Sequence, residues 1–134
     1  MRATGGCHCG AVRYEIDGEP IAHGLCHCTD CRRHAGAPMV GWLMLPEAIF
    51  RVTEGVVAEY VSSEHGRRYF CLTCGTGLFY RNDVTLGGIV DVQSATLDDP
   101  DTAPQPVHIQ IAERIAWMRG ADELPAFERY PPVG

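Results

Sequence analysis

The chain has 134 residues, of which 46% are hydrophobic and 21% are charged. This length suits one domain over residues 1–134 and leaves no room for a separate cofactor-binding domain, which excludes two-domain dehydrogenases and kinases. Eleven basic and seventeen acidic residues give a net charge of −6, which disfavours nonspecific nucleic-acid binding because such binding depends on neutralising phosphates.

The amino-terminal sequence, MRATGGCHCG, contains no apolar signal segment. The longest apolar run, at residues 39–45, is far shorter than the roughly 18 residues of a membrane helix. We therefore expect a cytoplasmic protein that has no membrane partner. In that compartment thiols stay reduced, and the seven cysteines could not all pair as disulfides because their number is odd. Metal ligation or catalysis explains them better.

The elements predicted in chain order are short strands separated by turns. Residues 11–16 alternate between apolar and polar side chains, as a half-buried strand does, and a turn follows at residues 17–20. Further strands are expected at residues 40–45, 56–61, 68–71, 78–80, 88–92 and 107–111. Thr29 is predicted to cap one helical turn through residues 32–35. Fifteen glycines and nine prolines interrupt longer helices, so the pattern predicts a mainly β fold of short antiparallel strands with little helix.

Two segments are predicted to be exposed chain rather than domain linkers. Residues 98–106, DDPDTAPQP, are typical of a surface loop, and residues 129–134 are typical of a tail. The aromatic side chains are expected in the core or at its edge. This expectation covers Tyr14, Trp42, Phe70, Phe79 and Trp117.

The cysteines lie in three groups that are each local in sequence. The groups are Cys7 and Cys9; Cys26, Cys28 and Cys31; and Cys71 and Cys74. A tetrahedral zinc site needs thiolates about 2.3 Å from the metal, and pairs close in sequence supply them at a low entropic cost.

Seven ligands divide naturally into a closed set of four and an open set of three. The two outer pairs form the four-cysteine cluster, a candidate structural site with no exchangeable ligand. The middle group forms the three-cysteine cluster, whose fourth position is left to water or a substrate atom, as in catalytic zinc sites. An alternative pairing joins Cys71 and Cys74 to two of the middle cysteines and leaves Cys7 and Cys9 aside.

Basic residues flank the three-cysteine cluster. A zinc ion with three thiolates has a net charge of −1, which Arg32 and Arg33 could offset, and these arginines could also bind carboxylates. Arg67 and Arg68 could act similarly, although adjacent strand residues point to opposite faces. His34 could reach the open site over one helical turn, but a partly exposed histidine without a ligand role is the more common case.

Three other histidines are not expected to bind metal. Strand alternation turns His8 and His27 away from the metal that their cysteine neighbours hold. His108 is expected to be a core histidine whose polar atoms are satisfied.

Segments along nearly the whole chain resemble the glutathione-dependent formaldehyde-activating (GFA-like) family. The matching segments are GGCHCGAVRYE, CHCTDCRRHAGAP, FCLTCGTGLFY, TLDDP and LPAFE, with His108-Ile109 and Trp117. The resemblance implies a zinc-stabilised β-tent fold with two zinc ions. In such a fold Cys7, Cys9, Cys71 and Cys74 hold the structural zinc, and Cys26, Cys28 and Cys31 hold a second, labile zinc near which glutathione binds.

The function implied by the resemblance is that of a carbon–sulfur lyase similar to S-(hydroxymethyl)glutathione synthase. The substrates would be glutathione or another small thiol and a small aldehyde, and the product an S-hydroxymethyl-type adduct. Cys26, Cys28 and Cys31 are the predicted catalytic residues, as ligands of the labile zinc. Arg32, Arg33 and His34 are the predicted substrate-binding residues. The alternative is a non-catalytic, zinc-stabilised glutathione carrier or sensor, or a protein-docking module.

Overall fold

The computed structural model describes residues 1–133 and has a mainly β fold, as predicted. Gly134, the last residue of the predicted tail, lies outside the described residues. The strands are β1 (Arg2–Gly6), β2 (Arg13–Asp17), β3 (Ala22–Cys26), β4 (Val40–Pro46), β5 (Phe50–Glu54), β6 (Val57–Val61), β7 (Gly66–Cys71), β8 (Gly77–Asn82), β9 (Ile89–Gln93) and β10 (Val107–Ile109). One α-helix, α1 (Thr29–Ala35), and short 3-10 turns complete the described part of the chain.

The strands form two sheets. One is a three-stranded antiparallel sheet in the order β1-β2-β5, and the other is a seven-stranded sheet in the order β10-β3-β4-β9-β8-β7-β6. All pairs in the larger sheet are antiparallel except β10 with β3, which is parallel. The chain can make this parallel pair because the loop and turns after β9 carry it across to the far edge of the sheet.

Three strands were not predicted from the sequence: β1, β3 and β5. β1 has the sequence RATGG, whose glycines give no apolar alternation. The glycine is needed at position 5 because a Cβ there would overlap the hydroxyl group of buried Tyr14. β1 therefore forms because its glycines allow close packing against β2. The hydrophobic pattern of the sequence does not indicate this packing.

Helix α1 begins at Thr29, so the prediction that Thr29 caps a turn is wrong. The N-cap residue is Cys28, whose Sγ accepts a hydrogen bond from the Cys31 backbone N–H at 3.3 Å. The helix ends at Gly36, which has a φ of 64°, a value that favours glycine. A candidate metal ligand thus also fixes the start of the helix. With seven residues, α1 is far too short to cross a bilayer, and no other described helix qualifies.

The main core lies between the sheets and contains completely buried side chains from β4, β8 and β9. These are Leu43, Leu45, Leu78, Val90 and Val92. A smaller cluster joins α1 to β3 and β4 through Cys26, Cys31, Val40 and Trp42. The core expectation for Trp117 is wrong, because 61% of this residue is exposed on a 3-10 turn near the carboxyl end.

Candidate metal centres

The four-cysteine cluster forms as the spacing predicted. The Sγ atoms of Cys7, Cys9, Cys71 and Cys74 all lie within 4.8 Å of one another. Cys9 Sγ is 3.6 Å from Cys7 Sγ and 3.8 Å from Cys71 Sγ. These distances are too long for disulfides, whose sulfurs are about 2.05 Å apart. They match the edge of about 3.8 Å that follows for a tetrahedron with metal–sulfur distances of about 2.3 Å.

Two turns hold these four cysteines. The loop between β1 and β2 carries Cys7, whose Sγ accepts a hydrogen bond from the Val12 N–H at 3.2 Å. The turn between β7 and β8 carries Cys74, whose Sγ lies 3.2 Å from the Thr76 hydroxyl. Hydrogen bonds from that hydroxyl and from backbone N–H groups lower the pKa of Cys74 to about 5. Cys74 therefore favours the thiolate, the form that binds metal, whereas desolvation and the neighbouring thiols raise the pKa of Cys9 to about 11. The cluster links the small sheet to the large one.

The three-cysteine cluster lies where β3 meets α1. Cys26 ends the strand, Cys28 caps the helix, and Cys31 is in the first helical turn. Their Sγ atoms lie within 4.8 Å of one another. Cys71 and Cys74 belong to the other cluster, so the alternative pairing considered from the sequence is wrong. The cluster offers three sulfur ligands and could hold a metal ion with a fourth position open.

Burial makes the ionisation of the three-cysteine cluster depend on nearby positive charge. Burial raises the pKa of Cys26 to about 12 and also raises the pKa of Cys31. Both thiols are therefore expected to ionise when a cation offsets the cost of desolvation. Arg68 supplies part of that charge, because both terminal guanidinium nitrogens lie 3.8 Å from Cys31 Sγ.

Arg68 and Arg67 point to opposite faces of β7, as strand alternation predicted. Arg68 is only 8% exposed, and its guanidinium lies 5.1 Å from the centre of the Tyr80 ring. Arg67 instead donates to backbone carbonyls of its own hairpin, including Ser63 at 3.1 Å. Sequence reasoning had no means of choosing between the two arginines.

A cavity of about 490 Å³ opens beside the three-cysteine cluster. Its walls include all three cysteines, together with Trp42, Met44, Arg68, Tyr80 and Asp91. Asp91 was not singled out from the sequence. The cavity is large enough for a small organic molecule whose sulfur reaches the cluster.

A second, more polar cavity of about 500 Å³ adjoins the first, because Asp30, Arg68 and Tyr80 line both. Its other lining residues are Arg33, His34, Tyr60, Ser62 and Ser63. The ring of His34 stacks on that of Tyr60 with a centroid distance of 5.9 Å. Two of the three predicted substrate-binding residues therefore lie together next to the three-cysteine cluster.

Residues 2–113 match the family model described as glutathione-dependent formaldehyde-activating enzyme, GFA. The chain belongs to the GFA family.

Two curated proteins and one solved structure are similar to this GFA protein. A Halomonas elongata protein, named as a candidate glutathione-dependent formaldehyde-activating enzyme, is 27% identical over 143 residues, which cover 98% of this chain and 90% of the relative. An uncharacterised lyase of Schizosaccharomyces pombe is 30% identical over 76 residues, or 57% of this chain and 55% of that protein. The crystal structure of a Rhodobacter sphaeroides protein superposes with a TM-score of 0.59 at 25% identity, covering 78% of this chain and 98% of its own. The family model and the two curated relatives support an enzyme in general.

Arg32, the remaining predicted substrate-binding residue of this GFA protein, makes hydrogen bonds outside both cavities. Its guanidinium donates to the carbonyl oxygens of His27 and Glu113, at 3.1 and 3.3 Å, and to the Thr29 hydroxyl at 3.2 Å. These contacts connect α1 to the segment after β10. Arg32 therefore fixes the helix rather than lining either cavity.

The histidines of the GFA protein differ in part from expectation. His8 is exposed, as expected for a side chain turned away from the metal. His27 is completely buried, and its Nε2 lies 2.8 Å from Nδ1 of His108. His108 itself is exposed, so the expectation of a core histidine is wrong. β10, which carries His108, adds to the edge of β3 and covers His27 from outside.

Proposed function

We propose that this GFA protein is a zinc-dependent carbon–sulfur lyase. It joins glutathione or a similar small thiol to a small aldehyde such as formaldehyde, or cleaves the resulting S-hydroxymethyl-type adduct. The observation that carries the proposal is the three-cysteine cluster, which supplies one ligand too few for a closed tetrahedral site and faces a cavity. The four-cysteine cluster has a complete ligand set and would hold a structural zinc.

Zinc suits both donor sets, since thiolates in tetrahedral geometry are its usual protein ligands. At the three-cysteine cluster, bound zinc would supply positive charge that favours the thiolate form of an incoming thiol, the nucleophile that carbonyl addition needs. This second zinc would be the more labile one, because an open position gives a chelator access. The free state of all seven cysteines suits a reducing cytoplasm, where we place the protein.

The polar cavity is suited to the carboxylates of the thiol. Glutathione as a thiolate has two carboxylates and one ammonium group, a net charge of −2, and it approaches a protein of net charge −6. Long-range attraction is therefore absent, and local cations must hold the ligand. Arg33 faces this cavity and Arg68 borders it, so a ligand with its sulfur at the cluster could extend one carboxylate toward Arg33.

Native mass spectrometry with and without glutathione tests the binding part of the proposal. We expect two zinc ions per chain and one added glutathione, and we expect Cys28→Ser to lose one zinc ion together with the glutathione. Protein purified anaerobically from zinc-containing medium that carries no metal, or that binds no glutathione at millimolar concentration, would contradict the proposal.

Exchange spectroscopy by NMR tests turnover. The protein should accelerate the interconversion of free formaldehyde, glutathione and their adduct above the rate in buffer.

The carboxyl-terminal segment favours a second candidate, a docking module, because Trp117, Leu124 and Phe127 are each more than half exposed. Binding of glutathione without any acceleration of exchange would instead support a non-catalytic glutathione carrier, and neither binding nor acceleration would support the docking module.

A further inference from the structure

Asp91 is a buried carboxylate without a partner. It is 8% exposed, and within residues 1–133 neither a hydrogen bond nor a neighbouring charge contributes to the pKa of its side chain, which burial alone raises. Its position on β9 pairs with Tyr80 on β8 and with Met44 on β4, and all three residues line the cavity beside the three-cysteine cluster. Val90 and Val92, its neighbours along the strand, are buried in the main core on the other face of the sheet.

This isolation sets Asp91 apart from carboxylates with structural roles. Glu47 accepts from Arg81 at 3.0 Å, and Asp98 accepts from Arg13 at 2.9 Å. Burying a carboxylate without such a partner costs free energy, and in Asp91 burial raises the pKa to about 6. A structural role does not account for this cost. The raised pKa, however, suits a group that gains and loses a proton near neutral pH.

The other ionisable groups of the cavity are already engaged or are less buried. His23 is bonded through both ring nitrogens, to the Pro104 carbonyl and to the Ser94 hydroxyl. Arg68 contacts Cys31, and Asp30 is exposed. Tyr80 and the three cysteines complete the set. Asp91 is therefore the buried carboxylate available to a molecule in this cavity, within the part of the chain that is described.

We propose that Asp91 is a catalytic residue that carries the proton during addition of the thiol to the aldehyde. This inference rests on the proposed function. The carboxylate accepts the S–H proton of the entering thiol. A sulfur electron pair then forms the C–S bond, the π pair of the C=O bond moves to oxygen, and Asp91 returns the proton to that oxygen. The sum is thiol plus aldehyde giving the S-hydroxymethyl adduct, with no oxidant or reductant, and cleavage is the reverse.

The test compares wild type with Asp91→Asn in the NMR exchange assay. Asparagine keeps the shape of the side chain but cannot accept the proton, so exchange should slow by a hundredfold or more. Zinc content and glutathione affinity should stay unchanged. Asp101→Asn is the matched control, since it makes the same change on an exposed 3-10 turn and should keep wild-type exchange.

A second variant, Asp91→Ala, leaves space beside the cluster for a small carboxylic acid. Formate added to this variant should restore part of the exchange rate, which a purely structural role would not predict. No rescue in a variant that keeps its zinc and its glutathione affinity would overturn the proposal.

The outcomes separate the inference from the function on which it rests. Wild-type protein that binds zinc but does not accelerate exchange refutes the lyase proposal itself. Wild-type acceleration with an equally fast Asp91→Asn variant refutes only the role of Asp91. Loss of glutathione affinity in Asp91→Asn also refutes it, because the carboxylate would then bind the ligand's ammonium group instead of moving a proton.

Discussion

Replacing Asp91 with asparagine is expected to stabilise the protein relative to wild type by an amount that grows as pH rises, because only the wild type loses stability. The wild-type carboxyl has an ordinary pKa of 3.8 when the chain is unfolded and a pKa of about 6 when it is buried in the folded protein. The folded state therefore binds the proton more tightly. The stabilisation from this proton is complete below pH 3.8 and is lost as pH rises through about 6. Asparagine does not titrate and loses nothing.

The size of the effect follows from the pKa difference. The folded and unfolded pKa values of Asp91 differ by about 2, and a pKa difference of 1 is worth about 1.4 kcal/mol, so the wild type loses about 3 kcal/mol of unfolding free energy by pH 8. At pH 5 the wild type has lost about 1.5 kcal/mol of it. The advantage of the variant over wild type should thus grow by about 1.5 kcal/mol between pH 5 and pH 8. Any constant cost of burying the amide cancels from this increment.

Urea denaturation of zinc-loaded wild type and Asp91→Asn, followed by circular dichroism at several pH values from 5 to 8, measures the increment. The comparison of two proteins at each pH also removes the pH dependence of metal binding, which they share. A difference in unfolding free energy that stays constant over this range would refute the reasoning. It would mean that the carboxyl of Asp91 is solvated or paired in solution.

Other predictions concern the metal centres, the polar cavity and one ion pair. A mild chelator should remove one zinc ion and leave the fold, as seen by mass spectrometry and circular dichroism; loss of both ions with unfolding would contradict the two kinds of site. Cys74→Ser should give unfolded protein, because structural zinc contributes on the order of 10 kcal/mol, whereas Cys28→Ser should stay folded. Arg33→Met should weaken glutathione binding about tenfold in calorimetry, while Arg129→Met, on the exposed tail, should not. Asp98→Asn should cost about 0.5 to 1 kcal/mol at pH 7, a partly exposed pair being screened. Because its hydrogen bond from arginine lowers the pKa of Asp98 to about 2, this cost should vanish as pH falls from 4 to 2.

The cysteine clusters could be predicted because their information is local. Cysteines two or three positions apart reach one metal with any suitable turn, so the division into four and three needed no knowledge of the sheets. Gly75, with a φ of 80°, shows the same locality, since the sequence already placed a turn-forming residue directly after Cys74. That residues 1–134 form one domain stays a prediction.

The surroundings of the three-cysteine cluster could not be predicted, because they depend on strand register. Asp91 faces the cavity only because β9 pairs with β4 and β8 in one register, and a shift by one residue would turn it to the other face. The engagement of Arg32 likewise depends on Glu113, which is 81 residues away in the chain. Local spacing carries no information on contacts between such distant segments.

The separation of the four metal ligands along the chain also has a consequence for synthesis. Cys9 and Cys71 are 62 residues apart, so at about 5 to 20 residues per second a ribosome needs roughly 3 to 12 seconds to make the second half of this site after the first. The three middle cysteines are translated within six residues of one another. We therefore expect the nascent chain to assemble the exchangeable site first, and to leave Cys7 and Cys9 open to oxidants until β7 has emerged.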